Sequence, residues 1–181
     1  MIPNPPLPTH HSLLTTPNPS LPTHHSPLPT HHSLLTTTFT FSTQEILSRD
    51  CADEVVSAIP IVLNDHTRFS VRFCLHEALY NAALHGNLEI DDLHHAGLNQ
   101  KIEARLSDPV LEARPVFVTC HPQEGVLDIA VRDFGPPAAL MIEGEIEGIR
   151  GLALIQQLTQ KVTFDAQRKE LVMHFFLGAA A

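Results

Sequence analysis

Residues 67–87 read TRFSVRFCLHEALYNAALHGN. Phe69, Phe73, Leu75, Leu79 and Ala83 recur at mostly three- and four-residue steps, which predicts an amphipathic helix from Thr67 to His85. Gly86 and Asn87 suit its end, because both residues tolerate the left-handed backbone that closes helices. Glu77, Asn81 and His85 follow one another at four-residue steps. Each step turns about 40° around a helix, so Glu77 and Asn81 share a face and His85 lies nearby. A carboxylate beside an amide carbonyl suits a hard cation and a hydroxyl or water nucleophile. The same pattern also fits an ordinary polar face of a surface helix.

Two stretches further on bear on that choice. Val131 to Gly135 reads VRDFG. An aspartate at a strand end, with glycine two residues on, sets a fixed carboxylate beside backbone that a ligand can approach closely. Asp and Gly are also common turn residues. Glu147 to Leu152 reads EGIRGL and leads straight into a helix. Glycines at a helix start can present free amides to phosphate. No Gly-Lys-Ser/Thr follows, so this is not a P-loop.

Around these stretches the pattern is α+β. Thr38 to Thr43 (TFTFST) alternates as a strand does, and Thr43 is placed to cap a helix from Gln44 to Ala58, with Pro60 beyond its end. A shorter helix is expected over Leu98–Leu106, stopped by Asp108–Pro109. Pro115–Cys120 and Val126–Arg132 read as strands joined by the turn HPQEG. A last helix is expected over Gly151–Leu158, then strands Lys161–Phe164 and Leu171–Phe176. Adjacent strand pairs with helices in blocks predict a two-layer α/β sandwich, a mixed but mostly antiparallel sheet covered by helices on one face.

The first charged residue is Glu45; all 11 Lys and Arg and all 20 Asp and Glu lie from there on. Before it, LPTHHS occurs at Leu7, Leu21 and Leu28, and SLLTT at Ser12 and Ser33. Nine of the 15 prolines fall in this part, a density that blocks helix and sheet bonding. Residues 1–37 are therefore expected to be a disordered Pro/His/Thr-rich tail, and 38–181 the folded domain. The tail's paired histidines could take up divalent metal, but nothing around them sets a fixed geometry.

The net charge of −9 argues against a broad basic nucleic-acid surface and against docking on anionic lipid. No apolar run approaches the roughly 20 residues of a membrane span, and no secretory signal is visible, so a cytoplasmic protein is expected. Cys51, Cys74 and Cys120 are widely spaced and read as reduced, buried thiols.

In order, the chain carries a helix with Glu-x-x-x-Asn, a strand ending Asp-x-Gly, a glycine loop, a helix and a strand pair. In this it resembles the histidine-kinase-like ATPases of the Bergerat fold, most closely their anti-sigma-factor serine/threonine kinase branch. EALYNAALHGN resembles the family's N-box, VRDFGPP its G1 box, and EGIRGLALIQQLTQKVTF its G2 box with the helix and strand after it. The likeness covers about residues 38–177. It implies that Asn81 holds the Mg²⁺ bridging ATP phosphates and that Glu77 is the general base or orients the attacking hydroxyl. By the same resemblance, Asp133 accepts from the adenine amino group and Gly135 lets the base pack on the backbone. Gly148, Gly151 and Leu152 belong to the lid and its phosphate contacts, Arg150 adds positive charge there, and His85 ends the N-box helix.

The resemblance thus implies a kinase that uses MgATP to phosphorylate a small anti-sigma-factor antagonist of the STAS type, and that could also hold a sigma factor. It admits a homodimer. The alternative is a non-catalytic or weakly catalytic nucleotide-binding module that switches by exchanging partners. Ile149 and Pro137, each at a position often glycine in such proteins, favour that alternative.

Overall fold

The computed structural model describes residues 35–90, 97–135, 150–165 and 167–177. The expected tail, apart from residues 35–37, lies outside them, as do Pro137, Gly148 and Ile149. Among the described residues five strands form one sheet: β1 (Thr37–Ser42), β2 (Pro115–Gln123), β3 (Val126–Arg132), β4 (Lys161–Asp165) and β5 (Glu170–Phe176). Their order is β1-β2-β3-β5-β4 and every pairing is antiparallel. Alternation sets the two faces. Val116, Val118 and Cys120 on β2, and Leu127, Ile129 and Val131 on β3, point inward and are buried. The helical layer covers that face, as the sandwich pattern predicts.

The helices are α1 (Thr43–Ser48), α2 (Cys51–Ala58), α3 (Asp65–Asn81), α4 (Leu98–Leu106), α5 (Pro109–Glu112) and α6 (Arg150–Leu158). The single helix expected over residues 44–58 is two. Ser42, not Thr43, caps α1: its Oγ accepts from the Glu45 N–H at 3.2 Å, and the Glu45 carboxylate accepts from the Ser42 N–H at 2.8 Å. Arg49 is extended at φ −146°, and Asp50 then caps α2 by accepting from Asp53 N–H. Two competing caps so close together explain the break. Thr43 is instead buried, and its hydroxyl donates to the Arg114 carbonyl at 3.0 Å.

The long helix α3 starts earlier than its apolar stripe suggests, at Asp65, with Asn64 as cap accepting from Thr67 N–H. Its buried face is Val71, Cys74, Leu75, Ala78 and Leu79. Phe69, expected in that stripe, is 62% exposed and stacks on Phe73 at the helix's flank. Small and branched side chains fit the sheet side of this helix; the two rings fit beside it. α3 packs against both α2 and α6. A second, smaller core of Leu84, Leu88, Ile90 and Leu111 seats α4 through Leu98, Ile102 and Leu106, a four-residue stripe.

Candidate functional site

The α-helical part of the long helix ends at Asn81, and the chain continues from Ala82 to Asn87 as a π-helical turn. Leu88 N–H bonds to Ala83 carbonyl, five residues back. Turns of this wide kind are often found at functional sites. Here the widening carries Gly86 onto the strand end at Asp133. A Cβ on Gly86 would fall 2.4 Å from Asp133 Cγ. A Cβ on Gly135 would fall 2.0 Å from the Gly86 carbonyl oxygen. Only glycine fits at either place without a shift of the chain.

The Asp133 carboxylate therefore lies in a cradle made by two glycines. Its Oδ1 accepts from the Gly135 N–H at 2.9 Å. Burial pushes its carboxyl pKa up; the Gly135 hydrogen bond and the charges of Lys169 and Arg114 oppose that rise. The Lys169 ammonium also donates to the Gly135 carbonyl. A carboxylate held this way has an oxygen to offer a donor of matching geometry, as the edge of a nucleobase would present.

Asn87 locks the other side of this turn. It is fully buried. Its Nδ2 lies 3.0 Å from Thr43 Oγ1, 3.0 Å from the Arg114 carbonyl and 3.2 Å from the Pro115 carbonyl. Its Oδ1 accepts from the Phe134 N–H at 3.2 Å. The sequence gives Gly86 and Asn87 the look of a helix end, so their contact with Asp133 and Phe134 was not legible. Arg114 and Lys169 lie 19 and 36 residues from Asp133 and carried no local signal either.

The second cluster stands where α6 begins. Glu77 and Asn81 are half-buried on α3. A Cβ on Gly151 would fall 2.2 Å from Glu77 Oε2 and 3.5 Å from Asn81 Nδ2. Glu77, Asn81 and Gly151 are thus brought together. The first turn of a helix favours a carboxylate near its N–H groups. Arg150 opens α6, Leu152 packs its side chain into the main core, and Gly148 lies outside the described residues. His85 is half-buried within the π-helical turn, so its relation to Asn81 is not that of a regular helix face.

The Asn81 amide oxygen is a hard donor of the kind Mg²⁺ takes when phosphates and waters complete its shell. Among the described residues no helix is long and apolar enough to cross a membrane.

The model of the histidine kinase-like ATPase domain family matches residues 44–175, from α1 to β5. No curated protein matches the chain. The family match spans most of the chain, including both residue clusters. The chain therefore belongs to the histidine kinase-like ATPase domain family, a family of ATP-binding domains.

Proposed function

We propose that this protein is an anti-sigma-factor-type serine/threonine kinase. It uses MgATP to phosphorylate a small STAS-type antagonist protein, and it could hold a sigma factor in the other state of the switch. The observation that supports this most is the meeting of Glu77 and Asn81 with Gly151 at the start of α6. A carboxylate and an amide beside a helix N-terminus suit a phosphate group and an attacking hydroxyl.

Asp133 accepts from the adenine amino group, and Gly135 leaves room for the base against the backbone. Asn81 is the residue to hold Mg²⁺. The metal, when bound, neutralises phosphate charge. Glu77 takes the proton of the acceptor hydroxyl as that oxygen bonds to the γ-phosphorus and the bond to ADP breaks. A base so placed contributes roughly 10²- to 10⁴-fold. The rest of the rate comes from position and charge.

The test is calorimetric titration of ATP into the full chain, with and without Mg²⁺, beside Asn81→Ala. Binding should strengthen with Mg²⁺ and lose that gain in the variant. Incubation with γ-labelled ATP and a STAS-type protein from the same source should then label the antagonist on serine or threonine. Tight ATP binding without any transfer would point to the non-catalytic switch module instead.

A further inference from the structure

Asn87 has no part in the phosphoryl transfer proposed above, yet its buried side chain has four hydrogen-bond partners beside the Asp133 turn. Its amide orientation is not ambiguous. Thr43 Oγ1 donates its own proton to the Arg114 carbonyl, so toward Nδ2 it can only accept. The other two neighbours of Nδ2 are carbonyl oxygens. Nitrogen must therefore face those three, which leaves Oδ1 toward the Phe134 N–H. The Asn87 carbonyl is also used, accepting from Arg114 Nη1 at 2.8 Å.

Phe134 is the residue between Asp133 and Gly135. Two successive backbone amides are thus tied: Phe134 N–H to Asn87, and Gly135 N–H to Asp133 Oδ1. Together they set the direction in which the Asp133 carboxylate points. Gly86, next to Asn87, supplies the wall on the other side. The same short piece of chain therefore both confines and aims that carboxylate. Its other bonds anchor it to the starts of α1 and β2, so the aim is referred to the rigid sheet.

We infer that Asn87 is the positioning residue for base selection. By pinning Phe134 it aims Asp133 at the 6-amino group of adenine, and so sets the preference for ATP over a purine triphosphate with a 6-oxo group. This rests on the nucleotide reading of the site given above. A site aimed to hydrogen-bond one group rejects the analogue that lacks it far more than a merely roomy site does.

The experiment uses the full chain and titrates ATP and inosine triphosphate, both with Mg²⁺, into wild type, Asn87→Ala, Asn87→Ser and Thr43→Val. Wild type should prefer ATP by tenfold or more. Both Asn87 variants should lose about tenfold in ATP affinity and keep their inosine triphosphate affinity, so that the ratio collapses. Thr43→Val loosens the buried network from its far end, leaves the Phe134 bond, and should keep the ratio despite lower stability. In wild type alone, amide hydrogen exchange at Phe134 should slow with ATP and not with inosine triphosphate, a reading that survives if both Asn87 variants fail to fold. A retained ratio in folded Asn87 variants, or equal exchange with the two nucleotides, overturns the inference while ATP binding stands. No ATP binding by wild type would overturn the nucleotide reading itself.

Discussion

Gly151 lies against the carboxylate of Glu77 so closely that a methyl group on its Cα would sit 2.2 Å from Oε2. The neighbour is the far end of a flexible side chain, so it can move aside at little cost to the fold. Gly151→Ala should therefore keep its melting temperature within a few degrees of wild type. It should nevertheless lower phosphoryl transfer by tenfold or more, because a displacement of about 1 Å at a reacting group can cost up to a hundredfold. A melt beside a transfer assay separates the two; loss of folding with transfer per folded molecule unchanged would contradict the contact.

Glu77→Ala should bind MgATP nearly as wild type does and transfer almost no phosphate, by a factor of roughly 10² or more. Calorimetry and label transfer read the two quantities separately. Transfer at the wild-type rate would remove Glu77 from the role of base.

Asp133 is a charge the fold disfavours, since burial raises its carboxyl pKa. A raised folded pKa means that ionisation costs stability, a cost absent below the ordinary aspartate value of about 3.9 and complete above the raised value. Asp133→Asn removes that cost and keeps an oxygen for the Gly135 N–H. It should melt higher than wild type at neutral pH, with the gain shrinking to nothing as pH falls through that window. Its ATP affinity should fall at the same time, the usual exchange of stability for function at a binding site. Melts over a pH series, with a titration at neutral pH, would show both.

The three cysteines are free and buried, as their spacing led us to expect. Burial pushes the Cys120 thiol up to about 12. Burial, aided by the negative charge of Glu77, does the same to Cys74, also to about 12. Cys51 is raised by burial as well. At pH 8 only about one Cys74 or Cys120 thiol in ten thousand is then the reactive thiolate. A thiol reagent should label none of the three in the native protein within minutes and all three in denaturant.

Ser42→Ala removes the cap of α1 and half of a reciprocal pair with Glu45. The expected loss is about 1 kcal/mol, or roughly 3–5 °C in melting temperature. Nucleotide affinity should stay near the wild-type value, since the Ser42–Glu45 pair lies outside both residue clusters and the Thr43 bond to Asn87 is kept. A differential scan and a titration would check the two statements.

Much of this protein was legible in its residues. The alternation of β2 and β3, the four-residue steps of α3 and α4, and the order of the three motifs are local patterns that each element must satisfy wherever it sits. They led to the α+β sandwich, to Glu77 and Asn81 on one helix face, and to Asp133 at a strand end. Local patterns also misled in places: one helix was expected where Ser42 and Asp50 cap two, and Phe69 was expected inside. What only the tertiary structure decided was contact between distant segments. The π-helical turn that carries Gly86 onto Asp133 has no periodicity of its own to announce it. Asn87 reaches residues 27 to 47 positions away, and Gly151 meets Glu77 across 74 residues. Such meetings depend on how the sheet and helices pack, and close packing settles them to within a methyl group, a precision that no run of neighbouring residues encodes.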